Sequence, residues 1–220
     1  MKKTFTIVSI IIIAGVIFWY TTGSTSNSLK TSNKDNKNTT YIIEGQTVAL
    51  VGGRSEVAVV PGSASKTITQ YFGNDATGDL NGDGLPDIAS LVTQTGGGSG
   101  TFYYVVVAFN TKNGYQGTNA ILIGDRIAPQ STEIKDGKVI VNYADRVFGE
   151  PITARPSVGM SKYFKVQNGT LIEVGPVVSA GERCGGNMTT APVCGSGLHC
   201  AQVLGSKLPF GDIGGVCVAD

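Results

Sequence analysis

The segment from Asp79 to Asp87 has the residue types and the spacing of a cation site. It reads Asp-Leu-Asn-Gly-Asp-Gly-Leu-Pro-Asp, with side-chain oxygens at positions 1, 3, 5 and 9 and a glycine at position 6. Calcium prefers oxygen ligands, and this spacing turns them toward one ion because the glycine permits a sharp turn before the carbonyl of position 7. The alternative is an acidic turn whose carboxylates are solvated. The spacing predicts a calcium ion bound by Asp79, Asn81, Asp83, the Leu85 carbonyl and Asp87.

The residues after this segment distinguish it from an EF-hand. Position 12 of an EF-hand is a bidentate glutamate that enters a helix, whereas this chain has Ser90 there, in an apolar stretch that predicts a strand. The segment resembles the calcium loops of FG-GAP and VCBS-type repeats, found in extracellular β proteins such as integrin propellers. That resemblance covers residues 79–87 only and implies that Asp87 closes the ligand shell. Because we find no second copy of the motif between residues 41 and 175, we expect a structural ion rather than a propeller or a sensor.

All four cysteines lie in the last 37 residues of the chain. In an exported chain, clustered cysteines predict two disulfide bonds that hold together a module too small for its own core. The segments Cys184-Gly185-Gly186, Gly197-Leu198-His199-Cys200 and Gly214-Gly215-Val216-Cys217 resemble those of small secreted cysteine-rich modules, including some protease-inhibitor and growth-factor-binding domains. Four cysteines allow three pairings.

For a compact module we favour the crossed pairing, Cys184–Cys200 with Cys194–Cys217. The alternative is a zinc site formed by three of these cysteines and His199. Because oxidation outside the cytoplasm favours disulfides, we expect disulfide bonds here.

The remaining polar residues give little support for catalysis. His199 is the single histidine, so a Ser-His-Asp triad would have to be built around that one ring. A hydrolase with two carboxylates is compatible with the inventory, which includes Asp75, Asp125, Asp145 and Glu150. Two of them occur in Asp-Arg pairs, 125–126 and 145–146, which salt bridges and turn caps explain equally well. We therefore predict no catalytic residue.

The N-terminus predicts export. Lys2 and Lys3 precede an apolar stretch that runs to Tyr20, which is close to the length of a membrane span. The only small-residue cleavage site, at 21–23, is poor, so residues 1–22 are predicted to be an uncleaved signal anchor that crosses the membrane through residues 4–20. The alternative is secretion after signal cleavage. Residues 23–40 are rich in Ser, Thr and Asn and predict a flexible linker.

The rest of the chain predicts short strands joined by tight turns. Glycine makes up 31 of 220 residues, about twice its average usage of ~7%, and no amphipathic helix is evident. Dipeptides that favour positive φ angles predict hairpins at Asp136-Gly137 and Asn168-Gly169, and a third is predicted around Gly45. The apolar run 102–109 lacks alternation, which predicts a strand buried on both faces at the centre of the core.

These elements define the predicted fold and function. The fold is mostly β: a hairpin-rich antiparallel β domain over residues 41–175, followed by a disulfide-rich module over residues 176–220. With 17 basic and 16 acidic residues, the chain lacks the charge excess of a nucleic-acid binder. We predict a membrane-anchored, extracytoplasmic, calcium-binding protein that binds an unidentified surface or secreted partner. The alternatives are a small hydrolase and a protease inhibitor that acts through the cysteine-rich tail.

Overall fold

The computed structural model describes residues 35–186, 190–202 and 214–220, which belong to one compact unit. These residues form strands, turns and one short 3-10 turn, with no α-helix among them, so the mostly β, antiparallel prediction is confirmed. The predicted signal anchor and the linker up to residue 34 lie outside the described residues. Within those residues no helix is long and apolar enough to cross a membrane.

Seventeen strands are present in the described residues. They are β1 (Thr40–Ile43), β2 (Gln46–Ala49), β3 (Arg54–Ala58), β4 (Lys66–Gly78), β5 (Asp87–Thr95), β6 (Phe102–Thr111), β7 (Gly114–Gly117), β8 (Ile121–Asp125), β9 (Ala128–Lys135), β10 (Lys138–Asp145), β11 (Val158–Gln167), β12 (Thr170–Val174), β13 (Val177–Val178), β14 (Arg183–Cys184), β15 (Val193–Cys194), β16 (Leu198–Gln202) and β17 (Gly215–Ala219).

Two antiparallel sheets pack face to face around the main core. The larger has the order β3-β4-β5-β6-β7, with β8 also paired to β6, and the smaller has the order β12-β11-β10-β9. Leu91, Val105 and Ile123 from the larger sheet share one buried cluster with Val139 and Phe164 from the smaller. Burial of this apolar surface is the main force that holds the two sheets together.

The opposite face of the larger sheet is covered by the β1–β2 hairpin. Tyr41 and Ile43 of this hairpin pack on Val92, Tyr104 and Val106 in a second buried cluster. Strand β6 therefore contributes to both clusters, and residues 104–109 are buried without interruption. The prediction of a central strand covered on both faces is confirmed for residues 104–109, because alternate side chains of one strand enter opposite cores, whereas Phe102 at the strand's start is exposed.

The three predicted hairpins are present. Strands β1–β2, β9–β10 and β11–β12 pair antiparallel in the expected places. At the β9–β10 turn, Asp136 and Gly137 have φ angles of 51° and 67°. Positive φ at both central residues is what a two-residue type I′ turn requires, and it matches the right-handed twist of the flanking strands.

The folded region begins before the predicted end of the linker. Asp35 caps a 3-10 turn at Asn36–Asn38, and its Oδ1 accepts a hydrogen bond of 3.0 Å from the Lys37 backbone. Thr39 is buried, and the Lys37 ammonium lies 5.3 Å from the centre of the Tyr71 ring. The polar composition that predicted a linker up to residue 40 therefore does not describe residues 35–40, because side chains such as those of Asp35, Asn36 and Asn38 have hydrogen-bond partners in the fold.

Candidate metal centre

The predicted calcium segment forms the turn between β4 and β5. Gly78 and Asp87 are paired across the two strands, so residues 79–86 close the hairpin. Leu80 is buried and belongs to the main core cluster. One apolar side chain thus attaches an otherwise exposed acidic loop to the β domain.

At the start of the loop, backbone N–H groups surround the Asp79 carboxylate. Its Oδ1 accepts a hydrogen bond of 2.7 Å from Gly82, and its Oδ2 accepts one of 2.9 Å from Gly84. These donors lower the pKa of the Asp79 carboxyl because they favour its charged form. Gly82 and Gly84 both have a φ of 81°, a conformation that side chains disfavour and that lets the chain curl around Asp79.

Two side chains in the middle of the loop, those of Asn81 and Asp83, accept hydrogen bonds from the backbone two residues later. Asn81 Oδ1 accepts from the Asp83 backbone at 2.9 Å, and Asp83 Oδ1 accepts from the Leu85 backbone at 2.8 Å. The Asn81 side-chain amide also donates to Asp83 Oδ2 at 3.0 Å. The oxygens of Asp79, Asn81 and Asp83 are thus on one curled loop and are already ordered by its backbone.

Asp87, at the end of the loop, differs from the other carboxylates because it is fully buried, with 0% exposure. Its Oδ2 accepts from the Leu80 backbone at 3.0 Å, and its Oδ1 accepts from the Asn110 backbone at 2.9 Å. Burial raises the pKa of the Asp87 carboxyl, and the negative charges of Asp83 and Asp79 raise it further, against the opposing effect of the two N–H donors.

No basic side chain among the described residues forms an ion pair with Asp79, Asp83 or Asp87. The three carboxylates also do not gather within 4.8 Å of one another; in the described regions, the only potential metal ligands that do so are the sulfurs of Cys184, Cys194 and Cys217. The donor chemistry of the loop fits calcium, because carboxylate, amide and carbonyl oxygens are its preferred ligands. The loop is therefore ordered by its backbone hydrogen bonds, and no basic side chain of the described residues forms an ion pair with its carboxylates.

Asn110 is a supporting residue that the sequence did not reveal. It follows the buried part of β6, and besides its backbone contact to Asp87 its side-chain amide donates to the Pro86 carbonyl at 3.2 Å. The two segments are 23 residues apart in sequence and meet because β5 pairs with β6. No local motif signals such a contact.

The cysteines form two disulfide bonds, as expected. Cys184 is bonded to Cys200 and Cys194 to Cys217, with no free cysteine left, so the alternative zinc site is not formed. His199 Nδ1 lies 3.0 Å from Asp220 Oδ1 on the exposed surface. Since neighbouring residues of a strand point to opposite faces, His199 is directed away from the face that carries the Cys200 side chain.

The Asp-Arg pairs have structural partners. Asp125 forms a salt bridge of 2.9 Å with Arg126 and accepts from the Thr101 backbone, and the bond to Arg126 lowers the pKa of the Asp125 carboxyl. Arg146 donates to the backbone carbonyls of Ala154, Asp125 and Arg126. These contacts fasten the loop between β10 and β11 to the end of β8.

Other carboxylates in the hydrolase inventory also accept hydrogen bonds. Asp75 accepts from the Tyr71 hydroxyl, and Glu150 accepts from the Val147 backbone.

Comparison of the chain with protein-family models, with curated proteins and with solved structures finds no match. The resemblance of residues 79–87 to FG-GAP and VCBS-type loops, and that of the cysteine-rich tail to secreted modules, stay predictions.

Proposed function

We propose that this protein is an extracytoplasmic β domain that is stabilised by one calcium ion and serves as a binding module. The ion would be held by Asp79, Asn81, Asp83, the Leu85 carbonyl and Asp87. It would act as a structural link between the β4–β5 turn and the core. The observation that supports it best is the fully buried Asp87 carboxylate, which lies beside two further acidic residues and has no basic ion-pair partner among the described residues.

A bound cation accounts for this arrangement in electrostatic terms. Burying a carboxylate is unfavourable unless it is paired or coordinates a metal, and hydrogen bonds to two backbone N–H groups leave its charge in place. A divalent cation next to Asp79, Asp83 and Asp87 would offset their mutual repulsion. Because the unfolded chain lacks a preformed site, binding would stabilise the fold, by about 2.7 kcal/mol at a calcium concentration one hundred times the Kd.

Thermal unfolding in calcium and in chelator tests this proposal. We expect calcium to raise the Tm of the wild-type chain, and Asp83→Ala to lose that increase. Asp83→Asn is the sharper variant, because an amide oxygen can still accept the bond from the Leu85 backbone while the charge is removed. The control is Glu150→Gln, which removes one charge from the β10–β11 loop, at the end of β10 opposite to the β9–β10 turn, and keeps an oxygen that can accept the bond from the Val147 backbone. Equal wild-type Tm values in calcium and in chelator would refute the structural ion.

The proposed location is supported by the disulfides. Two disulfide bonds are stable in an oxidising compartment and are rare in the cytoplasm. We propose that residues 4–20 anchor the chain in the cytoplasmic membrane, with the β domain on the outer side. Intact-mass analysis of the exported protein tests the anchor, and a mature N-terminus near Ser24 would contradict it.

The binding role is supported by how the candidate catalytic carboxylates are engaged. Asp125 is neutralised by Arg126 and has a lowered pKa, which makes it a poor proton donor near neutral pH. Asp75 and Glu150 serve as hydrogen-bond acceptors within the fold. A binding surface needs no such acid or base.

A further inference from the structure

Three lysines form a row across the smaller sheet. Lys138 on β10 is directly opposite Lys165 on β11 and directly opposite Lys135 on β9. Residues that face each other across antiparallel strands point to the same side of the sheet, and adjacent strands are about 4.8 Å apart. The neighbouring residues Val139 and Phe164 point into the core, so this lysine row lies on the outer face.

The lysine row makes no ion pair among the described residues, although Asp136 lies in the turn between Lys135 and Lys138. Several other basic side chains of the two main sheets are paired: Lys66 with Glu56, Lys162 with Glu173, and Arg126 with Asp125. None of the three row lysines forms an ion pair there. Since like charges directly opposite each other destabilise a sheet, the row lowers the stability of the fold that carries it.

The one carboxylate on a neighbouring row of this face is engaged elsewhere. Glu133 precedes Lys135 by two residues and therefore shares its face. Its Oε1 accepts hydrogen bonds from Ser131 Oγ at 3.1 Å and from Asn142 Nδ2 at 3.1 Å, on the side away from the lysines. The repulsion within the lysine row thus persists although an acidic residue is close in sequence.

The rows next to the lysines are aromatic and polar. Ile140 is opposite both Glu133 and Tyr163, and Tyr163 is half-buried, so part of its ring is accessible. One row further, Ser161 donates to Asn142 Oδ1 at 2.6 Å, and Asn142 donates to Ser131 at 2.9 Å. The outer face therefore presents a row of positive charge, then a row with Tyr163, Ile140 and the exposed Glu133, then amide and hydroxyl groups.

We infer that this outer face binds an acidic polysaccharide. Carboxylates of the polymer would pair with the lysine row, and a sugar ring would lie against Tyr163. Sugar hydroxyls would donate to the oxygens of the Asn142 row, whose own donors already bond to one another and to Glu133. A nucleic acid fits less well because the basic residues of this face are confined to one row of three lysines, without a broad basic surface. The inference rests on the proposed binding role but is independent of the calcium ion.

Titration of the full chain with a defined-length oligogalacturonate tests the inference, with its fully methyl-esterified, neutral form as the ligand control. We expect binding of the acidic form only, with an affinity that falls as salt rises. Lys138→Gln should weaken binding about tenfold at low salt and reduce the slope of log K against log salt by about one. The same variant should raise the ligand-free Tm by about 1–3 °C, because it removes the repulsion.

Lys112→Gln is the matched control variant. It removes one exposed positive charge from the β6–β7 turn and should change neither the affinity nor its salt dependence. Three results would each overturn the inference: equal binding of the neutral oligomer, an equal loss of affinity in Lys138→Gln and Lys112→Gln, or tighter binding of a single-stranded oligonucleotide. The titration is performed both in calcium and in chelator, so that failure of polysaccharide binding is distinguished from failure of the calcium proposal. The Tm measurements alone decide the calcium proposal.

Discussion

The β domain and the cysteine-rich tail are held together in different ways. Every buried apolar residue of the described chain lies before residue 176 except Cys184 and Cys217. Strands β13, β14 and β15 are two residues long, and β13 to β17 pair only with one another in the described segments. The tail thus has two covalent bridges where the β domain has two apolar clusters.

This difference shows how each region resists unfolding. Burial of apolar side chains stabilises the folded state directly, whereas a disulfide acts mainly by reducing the conformational freedom of the unfolded chain. A segment of 45 residues (176–220) is near the size below which a core alone rarely suffices. The two regions should therefore respond to different perturbations.

The largest effect is expected from the core of the β domain. Phe164→Ala removes a fully buried ring that packs between the two sheets and should lower the free energy of unfolding by about 3–5 kcal/mol. Chemical denaturation followed by circular dichroism would measure it. Phe148→Ala is the control, because that ring is fully exposed in the β10–β11 loop and should have little effect. Similar losses in both variants would contradict the assigned core.

Loss of the disulfides should act on the tail. Each bridge should contribute about 2–4 kcal/mol to this small region. Limited proteolysis in calcium, with and without a reductant, should show selective digestion of residues 176–220 and a resistant fragment that ends near Gly175. Simultaneous loss of the whole chain would mean that the bridges stabilise a single cooperative unit, and the predicted boundary would then be wrong.

A smaller effect is expected at Gly215 of β17, the central strand of the three-stranded sheet in the tail, because the Cys184–Cys200 disulfide lies close to it. A Cβ added at Gly215 would lie 2.1 Å from the Ala201 carbonyl oxygen and 3.2 Å from Cys200 Sγ. Gly215→Ala should therefore destabilise the tail by about 1–3 kcal/mol through overpacking. Gly159→Ala, at a position with open space around its Cβ, is the control. Unchanged protease resistance of the Gly215→Ala tail would show that the strands can separate without loss of the module.

The smallest effect is a dependence on pH that belongs to the β domain alone. The folded state raises the pKa of Asp87, so it binds more protons than the unfolded state between the two pKa values. In chelator, this group should therefore make stability fall as pH rises from about 4 through the raised pKa. Asp87→Asn removes this contribution from the pH profile. Identical profiles for wild type and variant would contradict the effect of burial on Asp87.

Local sequence was enough to predict several elements of this protein. Asp136-Gly137 and Asn168-Gly169 specify hairpins because the turn conformation depends on a few adjacent residues. The unbroken apolar run of β6 predicted burial on two faces. The spacing of oxygen-bearing residues from Asp79 to Asp87 predicted a curled loop, and the structure shows such a loop, with backbone N–H groups bonded to the Asp79 carboxylate. The clustered cysteines in the tail predicted its disulfides.

Only the tertiary structure decided which of these elements meet. The contact between Asn110 and Asp87 depends on pairing between strands, and the lysine row depends on the register of β9, β10 and β11. Burial of Asn36 and Thr39, which lie in a segment that is polar in sequence, likewise depends on distant partners such as Tyr71. A turn is determined by neighbouring residues, but register is set by the total packing of each sheet face, because a shift of one residue would exchange the core and solvent sides.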